Sequence, residues 1–463
     1  MGRPAFLAGE RSRARKGWIL SYTLLFGFLG MAVASSATAM AAFLALAVYA
    51  TFGRGHAVRA LALSWFLTMI NPDLTAGSGG ASVGRYVVLL GVLLSAVVHG
   101  TIRSPVNRGR LFIYVTVLLG IVIIVHAFLF SQVLDVSILK ATAWTLTMCA
   151  LLACWIGMPR EEREEVIGQL FWGLTLLVLF SLPLAALPVG YTANGTGFQG
   201  LLNQPQAFGT TVGLLAAWTA IRVLAERRPS WLSIGICGIA CVLVIMSEAR
   251  TAALGGVAGV LLSIVIAPLI SGGAIRQLFP GLMSARVWAV GFAVCVVGLM
   301  ASPFLIDIFG EFMTKRGSGE GLANVYQESR GRLIESMLVN AEEHPLTGIG
   351  FGVASDYMTM DVRRDSLTGL PMSAPIEKGL IFLGVLEELG LPLASVVMAW
   401  LFYFARMCAR GGLTSFTVFI VIMMFNFGEG TLFSPGGMGG LFAIFLTWAY
   451  AHGACSVRGS RHA

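Results

Sequence analysis

Arg250 stands in the run Met246-Ser-Glu-Ala-Arg-Thr-Ala252, with apolar sequence on both sides of it. Its guanidinium is a planar fork of donors that can hold a phosphate or diphosphate at two points. An ion pair with Glu248, or snorkelling toward headgroups, is the plainer use of such a residue. Arg330 and Arg332 open a second stretch, in which Leu333, Ile334, Met337, Leu338 and Ala341 recur at helical spacing until Pro345 stops the helix. At that helix start the two arginines could reach an anion, aided by the exposed N–H groups, or could simply face solvent. His344 begins His-Pro-Leu-Thr-Gly-Ile-Gly-Phe-Gly, where it could act as a base or end the preceding helix. The alternate glycines predict close backbone approach or unusual dihedrals. Glu377 and Glu388 are eleven residues apart, almost three turns of a helix running through both, and would then share a face. Two carboxylates beside hydrocarbon need solvent or partners, and Glu377, nearer the membrane edge, is the candidate general base. Glu388 is open to a structural reading, bonded to another helix. Asn203, Gln204 and Gln206 surround a proline in an outer connection, as neutral donors for sugar hydroxyls or as helix caps.

The elements that must position these residues follow from composition. Of 463 residues, 57% are hydrophobic and 12% charged, with a mean hydropathy of +0.82. A soluble domain carries about twice that charge, and disordered chains and coiled coils fail on the same figures. A polytopic membrane protein remains. Apolar runs bounded by polar residues predict about fourteen helices: 17–34, 37–52, 57–70, 86–100, 111–130, 138–158, 166–188, 206–224, 231–246, 251–270, 287–304, 379–404, 414–427 and 438–451. The first has a basic lead and a small-residue tail like a signal peptide, and is expected to be retained as a helix. The organisation expected is N-terminal transmembrane helices over 1–190, a transmembrane core with the outer motifs over 191–306, a large loop over 307–378, and C-terminal helices over 379–463.

Orientation follows from Lys and Arg in alternate connections. One side holds 21 of the 31, the opposite short connections hold Arg85, Lys140 and Arg250, and the remaining seven lie between Asp307 and Lys378. The termini are therefore expected in the cytoplasm and the 307–378 loop outside. The +8 balance is then a topology signal and gives no reason to expect nucleic acid as a partner. No zinc spacing, HExxH, nucleophile elbow or P-loop occurs, and five of the seven cysteines sit within apolar runs. No metal and no cofactor are expected.

The order of motifs resembles the superfamily of O-antigen ligases and Wzy-type O-antigen and exopolysaccharide polymerases. A polar Asn-Gln-Pro turn is followed by Ser-x-x-Arg-Thr-Ala, then by a large loop with Arg-x-Arg before a helix and the His-Pro-Leu-Thr-Gly-Ile-Gly-Phe-Gly string, then by Leu-Glu-Glu-Leu-Gly. The resemblance covers roughly 190–400; the first half matches only as a set of helices. It implies an all-α, GT-C-like transmembrane bundle of about 12–14 helices with one large periplasmic loop. It also implies a metal-independent glycosyltransferase taking glycan from an undecaprenyl-diphosphate carrier, with a glycan acceptor, membrane lipid and other polysaccharide export proteins as partners. Ligases of this kind commonly carry a His, often followed by Asn, where this chain reads Pro-Ile-Glu-Lys-Gly; Glu377 and Lys378 are the nearest groups. The Arg often found before the Asn-Pro turn is replaced by Asn194–Gly200. Both departures favour the polymerase. Its catalytic set would be Arg250, Arg330, Arg332 and Glu377, with Asn203, Gln206, His344, Lys378 and Glu388 binding substrate. The alternatives are a ligase acting on lipid A–core and a transporter of polysaccharide or lipid-linked sugar.

Overall fold

A computed structural model describes residues 27–28, 30–31, 34–75, 81–99, 108–193, 195–300, 331–364, 371–373 and 378–456. Its helices are α1 Ser36–Ala50, α2 Arg54–Met69, α3 Ala81–Val98, α4 Arg108–Phe130, α5 Leu134–Gly157, α6 Arg160–Ser181, α7 Pro205–Ala225, α8 Trp231–Met246, α9 Arg250–Ser271, α10 Ala285–Met300 and α11 Arg332–Glu343. A small antiparallel ribbon, β1 Arg363–Arg364 with β2 Pro371–Ser373, precedes α12 Ile381–Arg410, α13 Leu413–Phe425 and α14 Met438–Ser456. Most of the expected first helix lies outside the described residues.

Among the described residues, seven helices are long and apolar enough to cross a membrane, those built on α4, α5, α6, α7, α9, α12 and α14, and five shorter apolar helices accompany them. The described residues thus form a helical, multi-pass membrane bundle with one two-stranded ribbon among them. Helices are the form such runs must take, because hydrocarbon offers no partner for an unpaired backbone group. Their faces follow the same logic. On α4, Leu118, Ile121, Val125 and Phe128 point outward at helical spacing, while Leu119, Ile123 and Ala127 are buried. Nearly every side chain of α14 from Leu441 to Ala451 is buried, which makes α14 the centre of the bundle, packed on α5, α12 and α13. Trp144, Trp400, Phe404, Phe112 and Tyr450 interlock around it. At the rim, α10 buries none of its residues.

Two expectations need correction. A shared helical face for Glu377 and Glu388 was expected, but α12 begins at Ile381, and Leu380 before it is extended (φ −149°, ψ 110°). The eleven-residue spacing therefore does not set a shared face; Glu377 itself lies outside the described residues. One apolar face of α11 was expected to hold Leu333, Ile334, Met337, Leu338 and Ala341. Leu338 is exposed, and the face set into the protein centres on Met337 and Asn340.

The most consequential departure from regularity is inside α12. Gly390 has φ 66° and ψ 168°, and Pro392 follows, so the helix is interrupted. The piece from Leu391 to Arg410 is 20 residues, about 30 Å, enough to span hydrocarbon alone. Glu387 and Glu388 consequently sit beyond the spanning rod, at its end. A Cβ at Gly390 would also collide with the Leu346 carbonyl. Gly390→Ala is expected to destabilise the protein by about 2–3 kcal/mol, since strain and collision act together. Thermal unfolding of the detergent-purified protein checks this, and an unchanged midpoint would contradict it.

Candidate functional site

The interruption leaves two backbone carbonyls of α12 without their helical donors. In a regular helix Glu387 O would accept from Leu391 N–H and Glu388 O from residue 392, but residue 392 is proline and Leu391 N–H goes to Pro345 O (2.8 Å). The glycine string supplies the replacements. Ile349 N–H donates to Glu387 O (2.9 Å) and Gly350 N–H to Glu388 O (3.0 Å). To lie there the string adopts left-handed backbone at Gly348, Gly350 and Gly352 (φ 63°, 114° and 68°), as the alternate glycines predict. His344 ends α11, its N–H bonded to Asn340 O and its carbonyl accepting from Gly348 N–H. The start of α5 holds the opposite side of the turn. Gln132 N–H donates to Ile349 O, Ser137 Oγ to Phe351 O (2.8 Å) and Lys140 Nζ to Gly352 O (3.2 Å).

Three charged side chains meet on this scaffold. Lys378 and Glu387 are 4% and 0% exposed, and the Lys378 ammonium donates to Glu387 Oε2 while lying 3.6 Å from Glu388 Oε1. Asn340 Nδ2 donates to Glu387 Oε1 (2.7 Å) and to Ser355 O, and Gly352 N–H donates to Glu388 Oε2 (2.7 Å). Each carboxylate oxygen therefore has a donor or a cation, which is what burial of two acids requires. The expected binding residues Lys378 and Glu388 are brought together. Lys378 is committed to the two carboxylates, so it acts through them.

Arg250 belongs to a neighbouring cluster. It is the first residue of α9, after a tight turn in which Glu248 holds φ 54°, the one positive φ outside glycine among the described residues. That turn touches the polar connection, since Phe198 N–H donates to Met246 O and Thr196 Oγ1 to Glu248 Oε2. It also abuts α7, where a Cβ on Gly209 would collide with Ala249. Asn203 is pinned by its N–H to Met69 O (2.8 Å), and its buried Oδ1 accepts no hydrogen bond. Gln206 is exposed in the first turn of α7. Neither α7 nor α9 has a side-chain cap on its N-terminal N–H groups. Two adjoining helix starts beside a guanidinium form an electropositive surface suited to an anion.

The segment Phe427–Thr431 links the two clusters. Gly428 lies against Thr251, the neighbour of Arg250, and Gly430 lies against Lys378, its N–H donating to Lys378 O (3.1 Å). Asn426 shapes this segment, with Oδ1 accepting from Thr431 and Leu432 N–H groups (2.8 Å each) while its carbonyl accepts from Ile381 N–H. Glu429 stands at its middle. The sequence reading missed Asn340, Asn426 and Glu429, although Gly-Glu-Gly between two apolar helices is a visible signal. Arg330 and Glu377 lie outside the described residues; Arg332 starts α11. Among the described residues no three His, Cys, Asp or Glu side chains gather as a metal site needs.

Lys378→Met leaves two buried carboxylates facing each other and is expected to cost about 3–5 kcal/mol. Adding Glu387→Leu removes one stranded charge and should recover part of the loss. Unfolding midpoints of the two variants test this; equal destabilisation would refute the pairing. Comparison with known proteins returned no matching family model and no matching curated sequence.

Proposed function

We propose that the protein is a metal-independent membrane glycosyltransferase, a Wzy-like polymerase that joins undecaprenyl-diphosphate-linked oligosaccharide repeats into exopolysaccharide or O-antigen. The observation that carries this reading is the joining, at one end of the bundle, of an electropositive pair of helix starts at Arg250 with a buried acid–lysine cluster. Such a transfer makes two demands. The leaving diphosphate gains charge as its bond to the anomeric carbon breaks, and fixed positive groups at that place lower the barrier. Arg250 and the starts of α7 and α9 meet this demand in this reading, and Arg330 and Arg332 are given the same role from the sequence alone. The acceptor hydroxyl must be oriented and give up its proton. Glu377 takes that proton in this reading, while Asn203 and Gln206 bind sugar hydroxyls and the Lys378–Glu387–Glu388 cluster holds the segment that Glu377 precedes. The new C–O bond forms as the C–O–phosphate bond breaks, so direct displacement inverts the anomeric carbon.

The lysine and arginine distribution supports a cell inner membrane location, with both termini cytoplasmic and the site on the periplasmic side. The polymerase is preferred to a ligase because Glu377-Lys378 stands where ligases commonly carry His-Asn, and Lys378 is engaged in the buried ion pair.

Reconstitution with the lipid-linked repeat, with and without lipid A–core, tests the reading. A ladder of lengths is expected. Transfer of a single block to core would make it a ligase, flux across sealed vesicles without a new glycosidic bond would make it a transporter, and inertness in every arm would overturn the enzyme. Arg250→Ala is expected to reduce turnover by roughly 10²–10³ with the protein still folded, as loss of one transition-state donor does. Glu377→Gln should reduce kcat by about 10²–10⁴ with little change in KM if Glu377 is the base. Full activity in either variant would end the role given to that residue.

A further inference from the structure

The lipid-facing surface of the bundle does not stop where its spanning helices stop. On α12 the exposed Leu391, Met398 and Phe402 stand at i, i+7 and i+11 and form one outward stripe, with Leu391 at the end of the spanning piece. On α4 the last turn turns Phe128, Leu129 and Phe130 outward, and the helix ends at Phe130. The stretch 345–350 rests on both of these ends. Leu391 N–H donates to Pro345 O (2.8 Å), and a Cβ at Gly390 would collide with the Leu346 carbonyl. Gln132 N–H donates to Ile349 O (2.9 Å), and a Cβ at Gly350 would collide with Ser131. Two spanning helices thus place this stretch at the edge of the hydrocarbon, and Leu346 within it is 68% exposed.

Helix α11 leads directly into that stretch. Its height is set by Asn340, whose Nδ2 donates to Glu387 Oε1 (2.7 Å) three residues ahead of Gly390, about one helical turn beyond the spanning piece. Met337 and Asn340 take up the face docked on the protein. Beside that face run Ile334, Leu338 and Ala341, of which Leu338 is exposed. Glu335, Glu342 and Glu343 stand exposed around the far side, with Val339 among them. A helix at the membrane edge whose apolar and acidic flanks are separated in this way suits an interface better than bulk water. The occupant of the apolar flank follows from continuity, because Leu346 adjoins Leu391, the first member of the lipid-facing stripe. We propose that α11 is an interfacial helix, with Leu338 and Leu346 seated among the phospholipids of the near leaflet at the level of the glycerol groups and the three glutamates turned to water. The transfer reading does not enter, since the seating is measured without turnover.

The native full-length protein is tested in phosphatidylcholine nanodiscs doped with phosphatidylcholine that carries a photoactivated diazirine, either beside the glycerol or at the chain end. Labelled peptides are mapped by mass spectrometry. The glycerol-side probe is expected to label the segment 333–346 together with Leu391. The chain-end probe is expected to label Phe402, about 16 Å farther along the rod, and to miss 333–346. In Leu338→Glu with Leu346→Glu the label on 333–346 is expected to be lost while that on Phe402 persists, which separates loss of seating from loss of the fold. Absence of lipid label from 333–346 in the native protein would overturn the proposal, whether hydroxyl radicals from the water oxidise the two leucines instead or a second copy of the chain shields them. Label undiminished in the double variant would overturn it as well.

Discussion

An unpaired carbonyl in a low-dielectric interior costs several kcal/mol, and α12 would carry two of them beside Gly390 and Pro392. The glycine turn exists in its observed form because it supplies those two bonds from Ile349 and Gly350. The rest of the site hangs from that exchange. It brings the end of α11 down onto α12, so Asn340 meets Glu387, and it carries the Gly352 N–H to Glu388. It also presents the Phe351 and Gly352 carbonyls to Ser137 and Lys140 of α5. The helix interruption and the glycine string are two halves of one structure, although about forty residues separate them.

The site is assembled from short stretches of at least four places in the chain, 131–140, 340–352, 378–391 and 426–431, with Arg250 next to the last. None of these stretches is a site by itself. The buried acids are held by partners on different elements, so their arrangement reports that the surrounding helices have docked correctly. A buried ion pair of this kind adds little net stability against an apolar replacement, yet losing one member is costly. Its contribution is geometric: it fixes where the chain enters α12, next to the residue assigned as base.

Much of this was legible in the sequence because membranes enforce simple rules. Apolar runs gave helices whose observed limits differ by a few residues, and α8 matches at both ends. At the start of α6 charge makes the difference larger: it begins at Arg160, six residues ahead of the apolar run, because Glu161, Glu162 and the buried Arg163 form its first turn. The alternate glycines announced their left-handed backbone without announcing what they bind. The partnership of Lys378 with Glu387 and Glu388 was not legible, since it depends on the late start and the interruption of α12, and a continuous helix was the natural reading of that apolar run. Asn340 was hidden for another reason. A polar residue on the docked face of an amphipathic helix looks misplaced until its buried carboxylate partner is known.

The same interruption in α12 has a mechanical meaning. A membrane helix answers a change in bilayer thickness by tilting, and a rigid rod would lever everything attached to its end through the same angle. Here the rod stops at Leu391, and the segment bearing Glu387 and Glu388 is fastened by hydrogen bonds to the glycine turn and through it to α5. Hydrophobic mismatch can therefore be absorbed by the spanning piece about a joint at Gly390. Such a tilt would leave the acids bonded to Lys378 and Asn340.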